Sequence, residues 1–176
     1  MSKFARAIPA IAALAAVAAA APAFATENGT SVTATASLNI SSPLTVSKNS
    51  DLVFGTVTRP SSGNGQVVID AQNGNRNVTG NATAVTGGDN PTPTRALFTV
   101  YGEANRNITV TVPSNMTMTR QGGSETIPVT LNSSMGGGQV GSNGSATFGV
   151  GGQLTLSSST VPGGYSGTFQ VTVAYN

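Results

Sequence analysis

Side chains able to do covalent or metal chemistry are scarce in this chain, which has no histidine, no cysteine and no tryptophan. Serine and threonine are abundant, but without histidine the usual base for activating a hydroxyl is missing. A serine–lysine pair would have to draw on Lys48 in the setting Ser47-Lys48-Asn49-Ser50, which reads as a polar turn. The acids Glu27, Asp51, Asp70, Asp89, Glu103 and Glu125 are dispersed, so no carboxylate pair or ligand cluster stands out. Asp89 in Gly87-Gly88-Asp89-Asn90-Pro91 reads as a turn-capping residue, because no Asp-x-Asp ladder supports calcium. Gly63-Asn64-Gly65 and Gly149-Val150-Gly151-Gly152 lack the Lys-Ser/Thr and following helix of a phosphate loop. The expectation is a protein that is not an enzyme, with no catalytic residue, no cofactor and no metal.

The first 25 residues read as an export signal. Lys3 and Arg6 precede an Ala-rich apolar run, and Ala23-Phe24-Ala25 forms a small-residue exit, predicting cleavage after Ala25. The expected location is therefore exported: the periplasm in transit, then the cell surface or the extracellular space. Beyond Ala25, six cations (Lys48, Arg59, Arg76, Arg95, Arg106, Arg120) balance the six acids, and no basic cluster marks a nucleic-acid binder. No later segment approaches the roughly 18 apolar residues of a membrane span. Eight Asn-x-Ser/Thr triplets occur, several of them expected by chance in a chain so rich in these residues, and glycosylation is the weaker reading.

What must hold any site in place is β-structure. Apolar residues recur with period two in short runs: Val67 with Ile69, Phe98 with Val100, Ile108 with Val110 and Val112. Ile127, Val129 and Leu131 continue the pattern, as do Phe148 with Val150 and Leu154 with Leu156. The runs are separated by turn residues such as Asn73-Gly74 and Asn143-Gly144, whereas the Gly136-Gly137-Gly138 run through Gly144 reads as a mobile loop. Nine or ten short strands, each with one apolar face, predict a single antiparallel Ig-like β-sandwich over residues 43–176. Phe54, Phe98, Phe148 and Phe169 fall within alternating runs and are expected to be buried.

The two ends carry the sharper signal. Residues 26–42 read as a strand-like N-terminal arm whose Val32, Ala34, Ala36, Leu38 and Ile40 alternate with polar residues. At the ordinary rise of a strand these five span about 26 Å. The closing run carries Phe169, Val171, Val173 and Tyr175. One reading makes the arm the first strand of its own sandwich. The other makes it a donor strand that fills a groove bordered by the closing run of a neighbouring copy.

The closing run, from Gly163-Gly164-Tyr165-Ser166-Gly167 to Val173-Ala174-Tyr175, is similar to the last strand of chaperone–usher pilins and spore-coat-U-type subunits. Those families end on a penultimate aromatic and carry a glycine fourteen residues from the end, the positions of Tyr175 and Gly163. Asp51-Leu52-Val53-Phe54-Gly55, Phe98-Thr99-Val100-Tyr101-Gly102 and Val150-Gly151-Gly152-Gln153-Leu154-Thr155-Leu156 resemble a family of exported alphaproteobacterial β-proteins catalogued as a domain of unknown function. The pilin resemblance implies a structural subunit of a cell-surface fibre or adhesive layer, assembled by donor-strand exchange. Its partners would be further copies or related subunits joined head to tail, with a periplasmic chaperone and an outer-membrane usher. The chain departs from many pilins in having no cysteine for a disulfide. The alternative function is a monomeric secreted or periplasmic Ig-like binding module using its Gly-rich loops.

Overall fold

A computed structural model describes residues 30–176, so the predicted export signal, including Ala23 and Ala25, lies outside the described residues. These residues fall into two units, one ending at Leu38 and the other Asn39–Asn176. In the first, residues 30–38 form no strand and every one is exposed. The second is all β, without a helix.

Thirteen strands follow in order: β1 (Thr45–Ser50), β2 (Thr56–Thr58), β3 (Asn64–Ile69), β4 (Arg76–Gly80), β5 (Thr83–Val85), β6 (Ala96–Tyr101) and β7 (Asn107–Thr111). They continue as β8 (Asn115–Arg120), β9 (Thr126–Ser133), β10 (Gly137–Gln139), β11 (Ser145–Ser157), β12 (Tyr165–Ser166) and β13 (Thr172–Tyr175). β1, β6, β11, β9, β8 and β12 lie side by side in one sheet, which β3 and β4 extend from β11. A smaller sheet has the order β10-β7-β13, and β2 pairs with β5. All these pairings are antiparallel.

Alternation becomes two-layer packing in the expected way. In β9, Ile127, Val129 and Leu131 are buried while Thr126, Pro128 and Thr130 are exposed. Val67, Phe98, Val100, Phe148, Val150, Leu154 and Leu156 of the large sheet join Ile108 and Val110 of the small sheet in one core. The result is a β-sandwich, stabilised by burial of one face from each layer.

The thirteen-residue β11 organises the large sheet. Its first half, Ser145–Val150, pairs with β6, and its second, Gly152–Ser157, pairs with β3. β9 holds the other edge across the changeover, from Val150 to Leu154. Glycine is required where the partner changes. A Cβ on Gly151 would collide with the Ile69 carbonyl oxygen and lie 2.6 Å from the Ala71 nitrogen. The chain of β3 thus runs directly over Gly151, an approach no side chain permits.

Two local expectations are corrected. Gly137–Gln139 is no loop but β10, paired with Asn107, Ile108 and Thr109 of β7. Glycine suits that position because a Cβ on Gly137 would press on the Ile108 carbonyl at 3.1 Å. Likewise Ser47-Lys48-Asn49-Ser50 is no turn but the body of β1, whose residues are mostly exposed. Its polar composition reflects an edge position, where one margin of the strand faces solvent.

The Gly151 contact gives a direct test. Gly151→Ala is expected to lower stability by ~2 kcal/mol or more, read as a fall in the urea midpoint. Gly136→Ala, where an added Cβ meets nothing within 4 Å, is expected to change it by less than about 0.5 kcal/mol.

Candidate functional site

Over the half of the large sheet away from β13 and β7, a cavity of about 1000 Å³ interrupts the packing. Its floor is the inner face of the large sheet: Val67 of β3, Ala96 and Phe98 of β6, Leu154 and Leu156 of β11, Ile127 of β9 and Met116 and Met118 of β8. Its roof is mostly irregular chain with the short strands β2 and β12, placing Leu52, Phe54 and Val57 on one side and Tyr165, Gly167 and Phe169 on the other. Protein interiors are packed as densely as organic crystals and hold few voids larger than a water. Most of the floor is buried, so an apolar cleft this large is core volume that no side chain fills.

The roof is thin because its segments pair poorly. Residues 51–55 make a single β-bridge, Val53–Thr94, before entering the three-residue β2. On the other side, Tyr165 and Ser166 pair with Arg120 and Thr119 of β8. Residues 167–171 then cross from the edge of β8 to the edge of β7 without belonging to any sheet. Only from Thr172 does the chain pair again, with Thr111 of β7.

Two features fix the ends of this crossing. At Gly163 φ is +153°, and a Cβ there would press on the Arg120 side chain at 2.9 Å. That arginine forms a two-pronged ion pair with Glu125, Nε to Oε2 at 2.7 Å and Nη2 to Oε1 at 3.2 Å. The Arg120 hydrogen bond, followed by backbone donors, holds the Glu125 carboxyl below the usual range, and Glu125 in turn raises Arg120. At the other end the Tyr175 hydroxyl accepts the Glu103 N–H at 2.7 Å and donates to the Ser42 carbonyl at 3.1 Å. The Arg106 guanidinium lies 5.3 Å from the Tyr175 ring centre. Tyr175 packs so tightly on Gly102 that a Cβ there would strike its hydroxyl.

The structure divides the predicted acceptor residues. Phe169 lines the cavity and meets Phe98 edge-on at 6.4 Å between ring centres. Val171, Val173 and Tyr175 are half-buried beside the core rather than in the cavity wall, with Val173 opposite Val110 and Tyr175 opposite Ile108. In the predicted donor, Val32, Leu38 and Ile40 are 92%, 80% and 86% exposed, and Ala34 and Ala36 are exposed as well. The cavity walls at Leu52, Phe54, Met116, Met118 and Ile127 were not singled out as a site by sequence reasoning. A signal was present in Met116-Thr117-Met118, which alternates like any strand, but it gives no sign that its apolar face lacks a cover.

Among the described residues no group of three acidic, histidine or cysteine side chains could hold a metal ion. Nor is there among them a helix long and apolar enough to cross a membrane.

The Arg120–Glu125 pair predicts a pH dependence. A carboxyl whose folded pKa is depressed adds stability that is fully present above its unfolded value, about 4.3, and is lost as pH falls through the folded value. Urea midpoints measured from about pH 6 down to about pH 3 should therefore fall more steeply for the wild type than for Glu125→Gln.

No curated protein and no solved structure matches the chain. A family match does extend over residues 44–175, nearly the whole of the second unit. With that match, the chain belongs to the family described as a domain of unknown function, DUF4402.

Proposed function

We propose that this protein is a non-catalytic structural subunit of a cell-surface fibre or adhesive layer, exported and joined head to tail with further copies by donor-strand exchange. The observation that carries the reading is the unfilled apolar cleft of about 1000 Å³ in the core of a chain that also exposes Val32, Leu38 and Ile40. Each is costly in water alone, and each has the chemistry to relieve the other. Five alternating apolar residues present one side of a strand, and the cleft lacks a strand's worth of side chains.

The free margins of the sheets favour the same reading. β1 is an edge strand blunted by Lys48, which sits opposite Phe98, and by a bulge between Lys48 and Ser50. β2, β5 and β10 are three residues each, and β12 is two. Residues 167–175 offer nine positions without a charge or a proline, of which only the last four are paired in the described structure. A long uncharged margin invites another strand. Burial of two or three of the larger arm side chains at ~1.5–3 kcal/mol each, with new main-chain hydrogen bonds, makes a durable joint. Because donor and acceptor are different surfaces, the contact does not close on itself and propagates as a filament. A periplasmic chaperone would serve to cover the cleft before assembly, and an usher to order it.

Leu38→Asp places a charge where the donor must be apolar. Electron microscopy and size-exclusion of the exported protein should show polymers for the wild type and none for this variant. Fibres from Leu38→Asp would remove the arm from the assembly. A wild type that stays a soluble monomer would instead favour the binding-module alternative.

A further inference from the structure

Before any donor fills it, the cleft is a cavity of ligand size, about 1000 Å³ with a mostly apolar lining. Val67, Leu154 and Ile127 at its base are almost fully buried. Leu52, Phe54, Met116, Met118 and Phe169 keep part of their surface uncovered, and there an apolar guest finds contact. The base crosses four adjacent strands, β3, β11, β9 and β8, which at the ordinary strand spacing is about 14 Å. An acyl chain in one leaflet of a bilayer fills a depth of about 15 Å. Methionines suit such a guest, because an unbranched thioether adapts to a flexible alkyl chain.

Charge at the lining narrows the guest further. Three lining residues are charged, Lys48, Asp51 and Arg59. Lys48 and Asp51 neutralise each other in an ion pair, whereas Arg59 has no carboxylate partner among the described residues. Its Nη1 donates to the Ser158 carbonyl at 2.8 Å and to the Thr160 carbonyl at 3.1 Å, which pins the exposed guanidinium just past the end of β11 that supplies Leu156. The Nε and Nη2 donors make no hydrogen bond among the described residues. That edge of a guanidinium is the fork that takes a carboxylate through two parallel bonds. We infer that the cleft of the unassembled subunit binds a long-chain carboxylate, with its alkyl tail among Phe54, Met118 and Phe169 and its headgroup on Nε and Nη2 of Arg59. The inference goes beyond the donor-strand reading and does not rest on it. A tail and a donor strand fill the same volume, so the site belongs to the chain before assembly.

The test uses the whole exported chain carrying Leu38→Asp, stripped of bound lipid and titrated by calorimetry near neutral pH. Dodecanoate, dodecanol and dodecyltrimethylammonium share one tail and differ in headgroup charge. Dodecanoate is expected to bind at least about tenfold more tightly than dodecanol, and the cation most weakly. From octanoate to dodecanoate, affinity is expected to rise by up to about fourfold for each buried methylene. Arg59→Gln, a change at an exposed side chain that leaves the fold intact, is expected to bring dodecanoate and dodecanol within about twofold of each other without altering dodecanol. Met118→Trp, which fills the cavity, is expected to weaken every ligand at least about tenfold. Equal affinity for the three headgroups, or a carboxylate preference that survives Arg59→Gln, overturns the inference, as does a failure of dodecanoate to bind. Size-exclusion of the same samples reads assembly separately, so loss of the donor-strand reading and loss of this one are told apart.

Discussion

An apolar sheet face in water has to be covered at the density of a solid, and in this fold the covering layer is too small for the sheet it serves. Eight strands make the larger layer, three make the smaller sheet, and the two-stranded β2–β5 ribbon adds little. Where β7 and β13 lie over the large sheet, Val100, Val140 and Val150 reach complete burial. Beyond their reach the same apolar alternation continues on β3, β8, β9 and β11, where it is covered by short strands and irregular chain that leave a cleft unfilled. The cavity follows from that mismatch, and the reading of the molecule as one half of a joint follows from the cavity.

Glycine and arginine place the thin roof. Gly151 lets β3 cross close enough for β11 to serve two neighbours, and Gly152 gives up floor so that Phe54 and Leu52 can lie over it, 3.1 and 3.2 Å from where its Cβ would be. The Arg76 guanidinium binds the carbonyls of Phe54 and Thr56 and also that of Val85, fixing one side of the roof to β5. On the opposite side Arg59 bonds the carbonyls of Ser158 and Thr160. These arginines replace the ladder hydrogen bonds that a full strand would have supplied. The roof is thus held at its margins and left without a strand at its centre.

Strands that alternate cleanly, such as Ile127-Pro128-Val129-Thr130-Leu131, were legible in the residues because burial on one face alone dictates their pattern. Gly137–Gln139 was not, since three glycine-dominated residues give no side-chain period and pair only because β7 presents an open edge. Lys48 was misleading for a related reason: an edge strand tolerates charge, so its composition resembles a turn. The cleft was half legible. Phe169 and the alternating arm could be named from their pattern, but the floor at Met116, Met118 and Ile127 reads like any buried strand face. Whether a face is covered depends on the path of chain distant in sequence, here residues 51–59 and 160–169, and local pattern does not encode that path.

The charged, kinked margin at β1 has a bearing on thickness. A lysine turned towards the core side and an interrupted register make poor contact with a flat neighbour, so two such molecules lying abreast gain little from merging their sheets. Growth of the proposed assembly is then confined to one dimension. Any bundling into ropes or mats would depend on the threonine- and asparagine-rich outer faces, whose association is weak and reversible, rather than on continuous sheets that fuse permanently.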